Sequence, residues 1–261
     1  MPAATPHPEP AAKPARFACA DPATPVRYFA LVPCAGSGSR AGTAQPKQYQ
    51  SIAGQALVMH TLRALAGVAR LQGGLVVLTP GDDFAWPAGV QWPGLFVRQA
   101  CGAATRAHSV FQGLQALTEL GGRDIDWVLV HDAARCLVTP QMVDALIDAC
   151  ADDPVGGLLA LPLPDTLKQE AGGRSHTTVP RADKWLAQTP QMFRLGALRD
   201  ALARRAADGF AGITDEASAM ELAGHAPLLV VGSAHNFKVT YPQDFALAQA
   251  ILQTRITESS Q

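Results

Sequence analysis

The sequence predicts an α/β fold, with a mostly parallel sheet covered by helices on both faces. Three observations predict it. Short apolar runs rich in β-branched residues alternate with Ala/Leu-rich stretches of helical spacing. A glycine-rich loop follows the first of those runs. Of the 261 residues, 48% are hydrophobic, enough to bury a core on two sides of a sheet.

The elements follow in order. Strands are expected at residues 28–32, 75–78, 127–130, 157–161 and 228–231. Helices are expected at 56–65, 109–120, 140–149, 196–205 and 216–222. Such alternation implies βαβ units. Residues 163–193 break the rhythm. They carry Pro164, Pro180 and Pro190 with few helical signals, which suits a long loop or an extended hairpin arm. No internal repeat is evident. Residues 1–26 hold seven prolines among many alanines and lack an apolar signal region. They are expected to be a disordered tail, 27–255 a single domain, and 256–261 a short C-terminal tail.

Charge and cysteine usage exclude several classes. Lys and Arg number 21 against 22 Asp and Glu, a formal net charge of −1. A dedicated nucleic-acid binder carries a basic excess, so none is expected as partner. No apolar run reaches the ~18 residues of a membrane helix, so no membrane association is expected. The five cysteines form no CxxC pair and are odd in number. A reducing cytoplasm is the simplest setting. The seven histidines form no HExxH or Cys/His cluster, so no structural zinc site is expected.

The first strand leads into Cys34-Ala35-Gly36-Ser37-Gly38-Ser39-Arg40-Ala41-Gly42. Gly36, Gly38 and Ala41 fit the dinucleotide pattern G-x-G-x-x-G/A of Rossmann-like folds. Two features argue against a dinucleotide. The first acidic residue after the next strand, Asp82, lies far beyond the usual ~20 residues. The loop also continues through Pro46-Lys47-Gln48-Tyr49, adding Lys47 to Arg40. Glycines let backbone N–H groups approach a phosphate, and two cations suit a polyphosphate. There is no G-x-x-x-x-G-K-[ST] motif. An NAD(P)-dependent oxidoreductase and a nucleotide-binding regulatory module are the alternatives at this point.

Further motifs follow in order: His131-Asp132-Ala133-Ala134-Arg135, Asp165-Thr166-Leu167-Lys168, Thr189-Pro190-Gln191, Thr214-Asp215-Glu216-Ala217-Ser218 and Asn236-Phe237-Lys238-Val239-Thr240. Together with the glycine loop and its Lys-Gln-Tyr ending, this series resembles the cytidylyltransferases of the non-mevalonate isoprenoid pathway over about residues 28–252. The resemblance implies transfer of CMP from CTP to 2-C-methyl-D-erythritol 4-phosphate. Another polyol phosphate, such as ribitol 5-phosphate, is the alternative acceptor. The acceptor phosphate has its second pKa near ~6 and needs no general base.

The resemblance also implies roles. Arg40 and Lys47 are the catalytic cations. Ala35, Gly36, Ser37, Gly38, Ala103, Ser109 and Asp132 bind the nucleotide. Arg135, Thr166, Arg181, Thr189, Thr214 and Lys238 bind the acceptor, with Arg181 acting from a second subunit through an arm at about 163–193, in a homodimer. Asp132 is the ligand for Mg²⁺. The sequence departs from the pattern where Ala103 replaces a glycine. A positive φ there would be strained for alanine. No acidic residue stands near Lys238 to assist the metal, and His131, Cys34 and Cys136 are expected to be packing residues.

Overall fold

A computed structural model describes residues 17, 24–36, 46–82 and 92–258. The chain opens with strand β1 (Tyr28–Pro33), a 3-10 turn at Lys47–Tyr49 and a small hairpin of β2 (Ser51–Ile52) and β3 (Gln55–Ala56). Next come α1 (Leu57–Ala66), β4 (Leu71–Val77), β5 (Phe96–Gln99), α2 (Arg106–Glu119) and β6 (Trp127–Val130). Then follow α3 (Pro140–Cys150), β7 (Gly156–Pro162), β8 (Leu167–Ala171), β9 (Arg174–Val179) and β10 (Trp185–Arg194). The chain closes with α4 (Leu195–Ala203), α5 (Glu216–Leu222), β11 (Leu228–Val231) and α6 (Pro242–Glu258). Among the described residues no helix is long and apolar enough to cross a membrane.

Seven strands form one sheet in the order β11-β7-β10-β6-β1-β4-β5. All its pairings are parallel except those of β10, which runs antiparallel to β6 and β7. Side chains alternate across it. Phe29, Leu31, Val128 and Val130 face one layer with α2, α4 and α5. Ala30, Val32, Trp127 and Leu129 face the other, with α1 and α3. This is the period-two pattern of a sheet buried on both sides. A third cluster packs α6 over Ala134, Cys136 and Leu137.

Caps start the helices where the sequence offers hydroxyls. Thr105 accepts from the His108 N–H and opens α2, while Thr139 does the same for α3, with Pro140 in its first turn. The N-terminal ends of β1 and β6 are clamped together by Asp126. Its buried carboxylate accepts from Arg27 Nη2 at 2.7 Å and Arg123 Nη2 at 2.8 Å.

Three boundaries differ from the sequence reading. The expected arm at 163–193 divides in two. Only β8 and β9 form a separate exposed hairpin, whereas β10 enters the central sheet, buried from Gln188 to Phe193. Polar Gln188, Thr189 and Gln191, with Pro190 among them, hid that strand. The expected C-terminal tail at 256–261 is helical as far as Glu258. Most of the expected tail at 1–26 lies outside the described residues. Within it, however, Phe17 packs on Phe29 with ring centroids 4.9 Å apart, and Arg123 holds the carbonyls of Thr24 and Pro25.

Candidate active site

The site lies where the sheet order reverses. From β1 the sheet extends to β4 on one side and β6 on the other, so the loops leaving β1 and β6 diverge. Ligands of open α/β sheets bind in such crevices at the carboxyl ends of the strands. The loop after β1 carries Cys34, Ala35 and Gly36, and the loop after β6 carries His131 and Asp132.

Two glycines shape the loops at the ends of β1 and β5. Gly36 sits at φ +116°, a conformation glycine adopts freely. At Gly102 a Cβ would lie 2.4 Å from the Ala35 Cβ, so only glycine lets the loop after β5 close on the loop after β1. The 3-10 turn then clamps the loop after β1. Gln48 Nε2 donates to the carbonyls of Cys34 and Gly36, each at 2.9 Å. The Tyr49 hydroxyl donates to Asp82 in the loop after β4. Lys47 Nζ donates to the Val239 carbonyl at 3.0 Å, beside Lys238.

Asp132 is the centre of the arrangement. Its Oδ1 accepts from Arg106 Nε at 2.8 Å and its Oδ2 from Lys238 Nζ at 2.6 Å. Arg106 then forks onto Glu216, with Nη1 and Nη2 at 2.7 and 3.0 Å from the two carboxylate oxygens. Burial pushes the Asp132 pKa up, but Arg106 and Lys238 outweigh it and hold the carboxyl well below the usual range. For Glu216 burial wins and the pKa is raised despite Arg106.

A hydrogen-bonded chain fixes Asp132 from behind. Its N–H donates to Thr189 Oγ1 at 3.0 Å. His131 Nε2 lies 3.1 Å from the Arg135 carbonyl, which can only accept, so Nε2 carries the hydrogen. Nδ1 then accepts from the Thr189 hydroxyl at 3.1 Å. Burial lowers the His131 pKa to about 4, so the ring is neutral near pH 7. Thr189 reaches Asp132 because β10 shifts register against β7 between Ala187 and Gln191. Such irregularities re-aim side chains beside active sites.

Two cavities meet at this cluster. One, of about 270 Å³, lies between Ala35, Gly36, Lys47, Gln48 and Ser109. The other, of about 200 Å³, lies between Arg135, Thr189, Gln191, Thr214 and Asp215. Arg106, Asp132 and Lys238 border both.

The structure therefore brings together Ala35, Gly36, Lys47, Ser109, Asp132, Arg135, Thr189, Thr214 and Lys238. Ser37, Gly38 and Arg40 lie outside the described residues. Thr166 and Arg181 are exposed at the base of the β8–β9 hairpin and border neither cavity; Arg181 donates to the Pro164 carbonyl.

Several expectations change in detail. Thr189 belongs to the central sheet rather than to the arm. The Ser109 hydroxyl accepts from the Ala103 N–H at 2.9 Å and donates to the Thr105 carbonyl at 2.9 Å, so it pins its own loop. Ala103 does not require the left-handed conformation, because among the described residues the only non-glycine positive φ values are those of Ala53 and Phe210. Arg135 is not an open fork: its Nη1 and Nη2 hold the carbonyls of Asn236 and Ala187. Beside Thr214, Asp215 caps α5 in a capping box with Ser218.

Arg106, Glu216 and Gln48 went unassigned in the sequence reading. Gln48 and Glu216 stand inside motifs quoted there, but nothing in a linear sequence pairs Arg106 with a carboxylate 110 positions away.

The comparisons with known proteins agree with this fold. Residues 28–254 match the family model for IspD, 2-C-methyl-D-erythritol 4-phosphate cytidylyltransferase. A cytidylyltransferase of that name from Burkholderia multivorans is 54% identical over 231 residues, covering 87% of this chain and 96% of the relative. A bifunctional IspD/IspF enzyme from Albidiferax ferrireducens is 57% identical over 91% of this chain, which spans 56% of that relative's length. A crystal structure of 4-diphosphocytidyl-2C-methyl-D-erythritol synthase superposes with a TM-score of 0.76 at 36% identity, covering 88% of this chain and all of that one. The Francisella tularensis cytidylyltransferase gives 0.72 at 30% identity, covering 85% of this chain and 98% of its own. The chain belongs to the 2-C-methyl-D-erythritol 4-phosphate cytidylyltransferase family.

Proposed function

We propose that the chain transfers the cytidylyl group of CTP to 2-C-methyl-D-erythritol 4-phosphate, releasing pyrophosphate. The observation that carries this reading is the pair of cavities sharing Arg106, Asp132 and Lys238. The glycine-turn cavity takes CTP and the cavity beside β10 takes the acceptor phosphate.

An acceptor phosphate oxygen forms a bond to the α-phosphorus as the bond to the β-phosphate oxygen breaks. The attacking oxygen is already ionised near neutral pH, in keeping with a neutral His131 that serves no base role. The protein aligns the two phosphates and neutralises growing negative charge. Lys47 and Arg40 supply that charge on the nucleotide side. Lys238 supplies it between the two cavities, and Thr214 borders the acceptor. Gln48 and Ser109 hold the loops whose backbone faces the nucleotide.

The donor set fits a magnesium ion held mainly by phosphates. Among the described residues no cluster of three or more His, Cys, Asp or Glu side chains could enclose an ion. Asp132 is ionised and is one carboxylate, and Mg²⁺ commonly uses one carboxylate with substrate phosphates and water. When bound there, the ion supplies charge neutralisation on the triphosphate. Asp132 takes part only by exchanging Lys238 or Arg106 for it.

The working unit is a homodimer in which the β8–β9 hairpin carries Thr166 and Arg181 to the partner's acceptor cavity. Their exposure, and the fact that neither lines a cavity of its own chain, support that role. A reducing cytoplasm suits the buried, unpaired thiols of Cys34, Cys136 and Cys150, whose pKa values burial raises to about 12.

Competition between acceptors tests the reading. With CTP, Mg²⁺ and equal methylerythritol 4-phosphate and ribitol 5-phosphate, mass spectrometry should find the cytidylylated methylerythritol product in large excess. A ribitol product in excess would keep the site and move the substrate. CTP binding with no product would leave a regulatory module.

A further inference from the structure

Glu216 touches neither cavity, yet its carboxylate is 2% exposed and fully engaged by Arg106. Its position is rigid. It opens α5, whose N-cap Asp215 accepts from Gln191 Nε2 at 2.9 Å, while Gln191 Oε1 accepts from the Ala217 N–H at 2.7 Å. The start of α5 is thereby fastened to β10 on both sides of Glu216.

Arg106 divides itself unequally. A guanidinium prefers to fork onto one carboxylate with two parallel bonds. Here it forks onto Glu216 and gives Asp132 only Nε. Asp132 Oδ2 is left to Lys238, a single-point cation on a flexible stem whose side chain is 33% exposed. Lys238 is therefore the partner that can leave.

We propose that Glu216 is a positioning residue. By holding both terminal nitrogens of Arg106 it confines that side chain to one oxygen of Asp132, and so keeps the other oxygen exchangeable between Lys238 and a divalent cation. Without Glu216, Arg106 swings to fork across both Asp132 oxygens and closes the exchange. The inference rests on the nucleotide-binding reading above and deepens it.

The test is Glu216→Gln, whose amide cannot accept both guanidinium donors. In its crystal structure Arg106 should fork onto Asp132; Arg106 unmoved would overturn the proposal, whatever the protein's turnover. Calorimetry of CTP with and without Mn²⁺, in the absence of acceptor, gives a second readout. The variant should bind CTP alone within about threefold of wild type. Its tightening by Mn²⁺ should fall roughly 10-fold or more, the scale of losing an outer partner of a metal ligand.

Adding Arg106→Lys should restore that tightening, because lysine lacks the planar fork that grips both carboxylate oxygens with parallel bonds. A merely structural Glu216 would make the double variant worse. Should Glu216→Gln fail to fold, Arg106→Lys alone decides: retained tightening supports the proposal and its loss overturns it. Wild-type turnover tests the cytidylyltransferase reading separately.

Discussion

Asp132 is useful because of what surrounds it. A lone buried carboxylate would take up a proton, whereas Arg106 and Lys238 keep this one ionised. The Thr189–His131 chain fixes its backbone, and that chain makes a prediction. Thr189→Val removes the acceptor for the Asp132 N–H and the donor to His131 at one stroke. Buried groups left unpaired cost about 1–3 kcal/mol, so the urea midpoint should fall accordingly with an unchanged slope. An unchanged midpoint would mean the chain does not hold Asp132. At this scale the sequence was informative about membership and silent about partnership. Lys47, Asp132 and Lys238 were legible from their motifs. Arg106 and Glu216 were not, because their roles arise only when α2, β6 and α5 meet. The carbonyls that engage Arg135 beside the second cavity were equally illegible, because they come from the loops at 187 and 236.

At the scale of elements, most of the parallel strands were legible as short apolar runs and helices α1 to α5 from their spacing, whereas β5 and α6 were not expected. Ten elements were expected, and the structure places each within a few residues. β10 was hidden. Its buried stretch contains Gln188, Thr189, Pro190 and Gln191, polar or hydrogen-bond-poor residues that argue against a central strand. They are tolerated because each polar group has a partner: Gln188 Nε2 donates to the Ser233 carbonyl, and Gln191 is held by Asp215 and Ala217. The β8–β9 hairpin is a different case. It is almost wholly exposed and contributes little to the core. Replacing residues 167–179 by a short turn should leave the thermal midpoint within a few degrees. It should also convert the proposed dimer to a monomer on sedimentation and abolish turnover. A fully active monomer would remove the hairpin from the acceptor site.

At the scale of the molecule, the two ends of the sheet do different work. The carboxyl ends of β1 and β6 hold the site, while their amino ends are tied by Arg27, Arg123 and Asp126. Burial raises the Asp126 pKa, but hydrogen bonds from Arg123 and Arg27 outweigh it and bring it from 3.8 to about 2. A depressed carboxyl pKa stabilises the fold above the unfolded value and loses that contribution as pH falls through the folded one. The clamp should therefore act in full above about pH 4 to 5 and fade towards pH 2, a change of about 2 kcal/mol. Asp126→Asn should be less stable at pH 7 and show a correspondingly smaller loss on acidification. Equal acid profiles would place the stabilisation elsewhere.

The account's central claim concerns the other end of the sheet: Asp132 stands between a CTP cavity and an acceptor cavity. Pyrophosphate release from CTP with 2-C-methyl-D-erythritol 4-phosphate, with and without Mg²⁺, tests it most directly. Wild type should turn over only with the metal, and Asp132→Asn and Lys47→Ala should each lose roughly 10²–10³-fold, the scale of removing one preorganised electrostatic group. Wild-type rates in a folded Asp132→Asn protein would contradict the account.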